Sequence, residues 1–394
     1  MRRAGVPRVL LVVNSLGYGG TERMVERLVT ALEGRGDVLF TIVTLEGKGP
    51  IGARLQKDGR DVRPLALTGG AARQILGGRR ALRRLLRSER FDLIHSFLYR
   101  SHSACRLARI GARPAPPLLS SERCLGDNRG FGIRVVNRLT GAWSDRVLAV
   151  SRAVAETVVR RDRVPEEKVA VVPNGIEEAE ADPRRRSRLR RALGLRDGDV
   201  LLLFLGRLHA EKGPDLMLDA LERLRRIAPH GWRAALVGDG PLRDALARRI
   251  AGSGLADRVV QPGARRFVGP WLDAADLLVL PSREEGMPVA ALEAMMRGRP
   301  VVGTAVGGTP EVVDHGRTGL LVPAGDGEAL ARALADLIGD AARRRAMGAE
   351  AAAEARRRFT LERMADATLA EYRALLRAAE ATLAKSAPAP ARID

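Results

Sequence analysis

Short runs of apolar residues alternate with longer amphipathic segments along most of this 394-residue chain. The first runs, which read as buried strands, lie at residues 8–13, 38–44, 92–96, 117–121 and 146–150. Buried strands that alternate with helices form a parallel sheet covered by helices on both faces. The sequence therefore predicts an α/β fold.

The alternation stops once and then starts again. Turn residues cluster between residues 169 and 188, and a second series of strands follows at 200–208, 233–240, 258–263, 277–282 and 300–304. We predict two Rossmann-like domains, at 1–175 and 200–360, joined by a linker and connecting helix at 176–199. A last helix is predicted at 361–384 and a disordered tail at 385–394. Two such sheets facing each other leave a cleft, with ligands at the carboxyl ends of the strands.

The chain is strongly basic, with a net charge of +20 that comes almost entirely from arginine. Such a charge favours an anionic partner, which could be nucleic acid, phospholipid or a phosphorylated substrate. Aromatic residues make up only 3% of the chain, too few for the stacking platforms of single-strand binders, so we predict no nucleic acid. The alternative is an arginine bias of the genome, which says nothing about partners.

The sequence also bears on location. No apolar stretch reaches the length of a membrane span, and the apolar run near the N-terminus is too short for a signal peptide. Only two cysteines are present, Cys105 and Cys124, which fits a reducing compartment. We predict a cytoplasmic protein, with peripheral attachment to the inner face of the membrane as an extension of that prediction.

A glycine-rich loop, LGYGGTERM, follows the first strand and opens a helix. Gly17, Gly19 and Gly20 let a bulky ligand approach the backbone, and the helix N-terminus attracts anions. The loop is not GxGxxG, which argues against a nicotinamide cofactor. A plain strand–helix turn is the alternative reading of this loop.

The matching loop of the second half reads GRLHAEKG, residues 206–213. Arg207 and Lys212 both follow a buried strand, and two cations on one loop suit a diphosphate whose developing charge they would stabilise. In so basic a chain, solvated surface charge remains the alternative.

Two glutamates flank a Gly-Met-Pro turn in the segment REEGMPVAALEAMMRGRP, residues 283–300. Pro288 fits the first turn of a helix, so Glu285 precedes the helix N-terminus and Glu293 lies one to two turns inside. A carboxylate there can accept hydrogen bonds from two neighbouring hydroxyls, as on a ribose. Ordinary carboxylates on a helix surface are the alternative.

These segments in this order closely resemble the retaining nucleotide-sugar glycosyltransferases of family 4, also called glycosyl transferases group 1. The resemblance rests on GRLHAEKG, LVGDGPLRDAL and the stretch from DAADLLVLPSREEGMP to HGRTGLLVP, with GGTER, WSDRVLAVS and VVPNGIE in the first half. It implies the GT-B fold, an acceptor domain followed by a donor domain, and a terminal helix that crosses back to the first domain.

The resemblance also implies roles for single residues. Glu285 would approach the donor sugar, Glu293 would hold the nucleotide ribose, and Arg207 and Lys212 would bind the diphosphate. The backbone of Gly286, Met287 and Pro288 would meet the sugar, and Gly19 and Gly20 would close over the diphosphate from the first domain.

One departure from the family pattern concerns a histidine. Many members carry it after the fourth strand of the first domain, near the donor sugar, whereas this chain reads LLSSERCLGD there. Glu122 or Arg123 occupies that neighbourhood, and we take Arg123 as the substrate-binding candidate. His95 and His102 lie on an earlier segment, where His102 reads as a helix-start residue rather than a catalyst.

No carboxylate is an evident nucleophile for double displacement. The resemblance favours a front-face route in which the leaving diphosphate helps to deprotonate the acceptor. The single Asp-x-Asp, Asp197–Asp199, precedes the first strand of the second half and reads as a turn. We predict neither a metal nor a cofactor.

Together these features predict a retaining, metal-independent glycosyltransferase. The donor would be a UDP- or GDP-sugar, and the acceptor a polysaccharide, a lipid-linked glycan or a small molecule. A GT-B nucleotide-sugar 2-epimerase and a basic peripheral-membrane protein with an inactive site are the alternatives.

A last feature bears on the membrane. Residues 77–90, GGRRALRRLLRSER, place leucines at helical spacing among six arginines. We expect Leu82, Leu85 and Leu86 to pack on the first sheet and the arginines to form an exposed basic face. Each cation near an anionic leaflet contributes about 1 kcal/mol. An anionic membrane surface is thus a predicted partner, and a merely solvated helix face is the alternative.

Overall fold

The computed structural model describes residues 5–111, 115–126 and 130–386. It contains two compact units. The first comprises the residues up to Gly175 together with those from Leu361 onward, and the second comprises Ile176–Thr360. Strands and helices are numbered below along the whole chain.

The first unit is built on a seven-stranded parallel sheet with the order β3-β2-β1-β4-β5-β6-β7. Its strands are β1 (Arg8–Val13), β2 (Leu39–Thr44), β3 (Asp61–Pro64), β4 (Leu93–Phe97), β5 (Leu118–Glu122), β6 (Arg146–Ala149) and β7 (Val169–Val171). The two edge strands were not predicted. β3 reads DVRP, which is too polar to indicate a strand, and β7 falls inside the segment that we took for the break between domains.

Helices cover both faces of this sheet. They are α1 (Gly20–Gly34), α2 (Gly49–Lys57), α3 (Ala71–Ser88), α4 (Tyr99–Arg109), α5 (Phe131–Thr140), α6 (Arg152–Asp162) and α15 (Leu361–Ser386). The core holds central-strand residues such as Leu10, Val12 and Ile94, with Leu82 of α3 and Ala104 of α4 packed on them.

The C-terminal helix α15 belongs to the first unit although the second unit precedes it in the chain. It lies against α1, and ion pairs join Asp366 to Arg35 at 2.5 Å and Glu371 to Arg146 at 2.7 Å. The predicted return of the last helix to the first domain is therefore confirmed. The helix runs to Ser386, two residues into the predicted tail, and the rest of that tail, residues 387–394, lies outside the described residues.

The second unit repeats the architecture with a six-stranded sheet in the order β10-β9-β8-β11-β12-β13. Its strands are β8 (Val200–Leu205), β9 (Trp232–Val237), β10 (Val259–Val260), β11 (Leu277–Leu280), β12 (Val301–Thr304) and β13 (Gly319–Val322). All the pairings are parallel, and the strands are buried nearly throughout because helices cover the sheet.

The helices of the second unit are α7 (Pro183–Ala192), α8 (Pro214–Ile227), α9 (Arg243–Gly252), α10 (Gly269–Ala274), α11 (Val289–Met296), α12 (Thr309–Val312), α13 (Gly327–Gly339) and α14 (Ala341–Arg358). α7, which follows the break between the two strand series, packs on α10. Arg186 and Arg190 of α7 both pair with Asp276, which fastens the helix to this unit.

Candidate active site

The strand order of the second sheet places two loops side by side. β8 lies between β9 and β11, and Leu277 of β11 pairs with Leu202 of β8. The chain first forms β9 and β10 on one side of β8 and then forms β11, β12 and β13 on the other side. The strand order therefore reverses at β8. Open α/β sheets bind ligands at such a reversal, beyond the carboxyl ends of the strands. The loops that follow β8 and β11 contain Arg207, Lys212 and Glu285.

The loop after β8 is held against the loop after β11 by a close backbone approach. Residues Ala210–Lys212 form one 3-10 turn, and Gly213 follows with φ of +63°. A Cβ at Gly213 would lie 1.9 Å from the carbonyl oxygen of Pro281. Only glycine fits both this conformation and this contact. The approach brings Lys212 next to the β11 loop.

Lys212 and Glu285 form the centre of the site. Lys212 Nζ lies 2.8 Å from Glu285 Oε1, and the Ser282 hydroxyl donates to the same oxygen at 2.8 Å. Glu285 is buried while Lys212 keeps about a quarter of its side chain exposed. The carboxylate is thus fixed by two donors, and the ammonium still reaches solvent from which a ligand could approach.

Arg207 occupies the solvent side of the same loop. Its guanidinium pairs with Glu211, and 65% of its side chain is exposed. The structure therefore brings Lys212 and Glu285 into direct contact and leaves Arg207 as a more exposed charge on the same edge of the sheet.

Arg283 fastens the two loops together. Its backbone N–H donates to the Glu211 carbonyl at 2.8 Å, and its guanidinium donates to the Ala210 carbonyl at 2.7 Å. The guanidinium also binds both carboxylate oxygens of Asp215, at 2.8 and 2.6 Å. These hydrogen bonds lower the pKa of Asp215. Sequence reasoning missed Arg283 and Ser282 as site residues, although both lie within three positions of Glu285.

The segment after Glu285 differs slightly from the prediction. α11 begins at Val289, so Pro288 is its N-cap rather than a residue of its first turn. The Met287 side chain is buried, which leaves the backbone of Gly286 and Met287 as the part that could meet a ligand. Glu293 lies in the second turn of α11 and is buried.

The edge of the first sheet carries the other candidates. Gly19 is the N-cap of α1 and Gly20 its first residue, directly after β1. Arg123 follows β5 and donates to the side-chain oxygen of Asn174. Burial lowers the pKa of Arg123 to about 10, and the charge of Glu22, in the first turn of α1, opposes this shift.

The two histidines of the first unit lie in its interior. His95 contacts the Tyr372 hydroxyl of α15 through Nδ1 at 2.6 Å and the Ser121 hydroxyl through Nε2 at 2.7 Å. Burial, with smaller contributions from His102 and Arg123, holds the pKa of His95 well below its usual range. Through these contacts His95 of β4 joins α15 to β5 inside the unit.

His102 lies in a second buried contact. Its Nε2 is 3.4 Å from Glu122 Oε1, and its Nδ1 is 2.8 Å from the Ser96 hydroxyl. Glu122 is buried as well, whereas Arg123 keeps part of its surface exposed.

Comparison with known proteins decides the family. The model of the family described as "Glycosyl transferases group 1" matches residues 199–340, and that of "Glycosyltransferase Family 4" matches residues 18–180. The D-inositol 3-phosphate glycosyltransferase of Xylanimonas cellulosilytica is 33% identical over 301 residues, 73% of this chain and 68% of the relative. The lipopolysaccharide core biosynthesis mannosyltransferase LpsB of Rhizobium meliloti is 33% identical over 309 residues, 74% of this chain and 86% of the relative.

The chain belongs to the group 1 glycosyltransferases of family 4. Solved structures agree on the fold. A glycosyltransferase from Rickettsia africae superimposes with a TM-score of 0.80 at 18% identity, over 94% of this chain and 99% of that one. Anabaena Alr3699/HepE in complex with UDP and glucose gives 0.79 at 23% identity, over 93% and 98%. The predicted family and the predicted two-domain GT-B fold are both confirmed.

Membership of the group 1 glycosyltransferases also bears on the alternative functions that the sequence left open. The relatives named above are glycosyltransferases, so the epimerase reading is not favoured. The roles of Glu285, Arg207, Lys212, Gly19, Gly20, Arg123, Gly286, Met287, Pro288 and Glu293 remain predictions.

Proposed function

We propose that this group 1 glycosyltransferase moves a sugar from a nucleoside diphosphate donor to an acceptor hydroxyl with retention of anomeric configuration. The observation that supports this most is the Lys212–Glu285 pair, a 2.8 Å contact at the strand reversal of the second sheet. An ammonium and a carboxylate held side by side can bind the two parts of such a donor, its diphosphate and its sugar hydroxyls.

The charged residues of the site would have different roles. Lys212 and Arg207 would bind the diphosphate and stabilise the negative charge that grows on it as its bond to the anomeric carbon breaks. Glu285, fixed by Ser282, would accept hydrogen bonds from the donor sugar. Glu293 would hold the ribose hydroxyls, and the backbone of the turn Gly286, Met287 and Pro288 would meet the sugar, with N–H groups from Gly286 and Met287.

The bonds change on one face of the sugar. The acceptor oxygen bonds to the anomeric carbon as the diphosphate leaves, and the acceptor proton passes to a phosphate oxygen of the leaving group. Because the protein cations stabilise that leaving group, we propose that the reaction needs no metal and no other cofactor.

The first unit would supply the acceptor side. Gly19 and Gly20 lie at the N-terminus of α1, where backbone N–H groups suit a phosphate, and Arg123 offers a half-buried cation on the same edge of the sheet. The HepE complexes contain UDP, and the relatives act on inositol phosphate or lipopolysaccharide core by name. We propose a UDP- or GDP-sugar donor and a glycan, lipid-linked or small-molecule acceptor.

The surface of the first unit bears on where the enzyme would act. In the described part of the chain, no helix is long and apolar enough to cross a membrane. Leu82 of α3 is buried in the core, while Arg80 and Arg84 are exposed. We propose a cytoplasmic enzyme whose α3 arginines attract it to an anionic membrane surface.

A donor panel tests the proposed reaction. The purified protein is incubated with UDP- and GDP-sugars, with and without candidate acceptors, and released nucleoside diphosphate is measured together with the anomeric configuration of any product. Slow hydrolysis of one donor, accelerated by an acceptor and unchanged by a chelator, is expected. An epimer formed without acceptor would instead support the alternative enzyme, and no turnover of any donor would support the inactive-site alternative.

A further inference from the structure

The first unit exposes apolar side chains on one layer of helices. α3, α4 and α5 pack in sequence beside one another, because right-handed crossovers from β3 to β4, β4 to β5 and β5 to β6 all run in one direction along the sheet. Large hydrophobic residues exposed on this layer and the turn after it are Leu76, Ile110, Val135, Leu139 and Trp143. A cluster of exposed apolar residues indicates a surface that binds a protein, a membrane or a ligand.

The apolar residues are densest on α5 and the 3-10 turn Gly141–Trp143 that follows it, here called the α5 patch. Val135 and Leu139 are one helical turn apart, and Leu139 is 70% exposed. Trp143 adds a ring that is 45% exposed. The opposite side of α5 is buried through Asn137 and Thr140, with Ile133 and Val136 partly buried, while Val135 and Leu139 remain on the outside.

The turn that displays Trp143 is firmly braced. Lys168 Nζ donates to the Ala142 carbonyl at 2.8 Å, and Arg109 donates to the Trp143 carbonyl at 3.0 Å. A Cβ at Gly141 would lie 2.5 Å from the Asp162 carbonyl oxygen, so the backbones are in contact there. The exposure of Trp143 therefore belongs to a fixed element of the fold.

The charged residues of α5 are both arginines, whereas the exposed Asp145 follows the turn and pairs with Arg109. Arg134 and Arg138 are exposed on α5, and no acidic residue occurs in the sequence between residues 130 and 144. The neighbouring α3 exposes Arg73, Leu76, Arg80, Arg84 and Arg87, which follow one another at helical spacing along a single stripe. This combination of arginines with exposed leucine and tryptophan complements an anionic lipid surface.

We propose that the α5 patch inserts into the headgroup region of an anionic bilayer leaflet, with Val135, Leu139 and Trp143 as the inserting side chains. The α3 arginines supply long-range attraction, and the patch supplies short-range burial. Amphipathic helices of this kind enter about 5–10 Å into the boundary between headgroups and acyl chains, where tryptophan rings are favoured. This inference rests on the proposed membrane partner and identifies the surface and the mode of binding.

The two contributions differ in their response to salt. Attraction between the arginines and the leaflet is screened as the Debye length falls from about 10 Å at 0.1 M to about 3 Å at 1 M. Burial of Leu139 and Trp143 is not screened in this way. A salt-resistant fraction of binding is therefore the signature of insertion.

Tryptophan fluorescence gives a direct readout, because Trp143 is the exposed member of the three tryptophans and both Trp232 and Trp271 are buried. The full-length protein is titrated with vesicles of phosphatidylglycerol and phosphatidylcholine, and with phosphatidylcholine alone. We expect a blue shift with the anionic vesicles, quenching by brominated lipids, and loss of the shift in Trp143→Phe with binding retained.

Two matched variants separate insertion from a general surface effect. Leu139→Ser is expected to weaken high-salt vesicle binding by at least about tenfold, since burial of a leucine side chain is worth that factor or more. Ile227→Ser, an exposed residue of the second unit, is expected to leave binding unchanged. Donor hydrolysis without acceptor should be normal in both variants, and thermal unfolding shows that both remain folded.

Several results would overturn the inference. Binding at low salt that vanishes completely at high salt, without a blue shift, would leave only electrostatic attraction by α3. No binding to any vesicle would remove the membrane partner as well, while normal transfer to a soluble acceptor would leave the proposed reaction intact. A dimer in sedimentation analysis that Leu139→Ser dissociates would assign the patch to a second copy of the chain.

Discussion

The two units share one architecture and differ in the chemistry at the carboxyl edges of their sheets. In the second unit, charged side chains lie at this edge and join neighbouring loops, as Lys212 does with Glu285 and Arg283 with Asp215. In the first unit, one such pair, Arg100 with Glu46, joins the first turn of α4, which follows β4, to the loop after β2. The other polar groups behind the edge are buried, such as His95 between Tyr372 and Ser121 and Glu122 beside His102.

This difference shows what each unit can contribute to transfer of a sugar. A leaving diphosphate needs cations that reach it, and we propose that Lys212 and Arg207 on a loop of the second unit supply them. The buried hydrogen bonds of the first unit instead tie α15 and α4 to the sheet that carries the glycine loop and Arg123. The absence of the family histidine agrees with this difference between the units, because Glu122, which lies in that neighbourhood, is buried against His102.

The comparison is tested most strongly by removal of the two cations. Lys212→Ala and Arg207→Ala are each expected to lower turnover by roughly 10²–10³, as loss of an electrostatic donor to a transition state does. Arg332→Ala is a close control for Arg207→Ala, because both arginines are 65% exposed and pair with a glutamate four residues away. Steady-state kinetics and thermal unfolding are measured for each variant, and near-normal turnover would remove that residue from the site.

A second prediction separates the two glutamates of the donor unit. Glu293→Ala should mainly weaken nucleotide binding, by about ten- to a hundred-fold, since hydrogen bonds to a charged acceptor are worth about 1.5–3 kcal/mol. Glu285→Ala should mainly lower turnover. Calorimetric titration of the free nucleoside diphosphate checks both, and the assignment fails if only Glu285→Ala loses nucleotide binding.

The sequence predicted those features of the fold and of the site that depend on a local pattern of residues. Apolar runs marked the central strands of both sheets. Arg207, Lys212 and Glu285 were singled out because they lie on loops that follow such runs, and the family resemblance implied their roles, which remain predictions. The polar edge strand β3 was missed because DVRP forms a strand only through its pairing with β2. Tyr372 could not be paired with His95, since 277 positions separate them.

Ser282 and Arg283 show a different limit. Both lie next to Glu285 in the sequence, yet their roles depend on where the loop after β8 runs. The close approach of Gly213 to Pro281 sets that path, and a contact between two backbones leaves no periodic signal in either segment.

The third prediction concerns the buried contacts of the first unit. Because the pKa of folded His95 is well below the unfolded value of about 6.5, its contribution to stability is present above pH 6.5 and is lost as the pH falls below it. The free energy of unfolding of the first unit should fall by up to about 1.4 kcal/mol per pH unit there. Tyr372→Phe should cost about 1–3 kcal/mol at neutral pH by leaving His95 without this partner.

Hydrogen exchange separates the units in this test. Amides of β1, β4 and β5 should lose protection between pH 6.5 and 5, while those of β8 and β11 keep theirs. His95→Gln should remove the pH dependence assigned to this ring, and equal loss in both units would contradict the assignment.

The last prediction concerns the second unit and a lower pH range. Glu354 of α14 is buried among Arg357, Arg358 and Arg317, and their hydrogen bonds, with Arg357 first, lower the pKa of Glu354 from 4.5 to about 2. Its contribution is therefore complete above pH 4.5 and is lost as the pH falls toward 2. Glu354→Gln should cost on the order of 2 kcal/mol at pH 7, because solvent screens the exposed arginines.

Glu350→Gln is the control, since Glu350 lies one turn earlier on α14, is exposed and also pairs with Arg317. Denaturant unfolding followed by exchange at β8 and β11 should show little change in that variant. The difference in free energy of unfolding between wild type and Glu354→Gln should disappear as the pH falls from 4.5. This pH range lies below the one in which the first unit loses stability. A difference that stays constant down to pH 2.5 would mean that packing of Glu354, rather than its charge, stabilises the second unit.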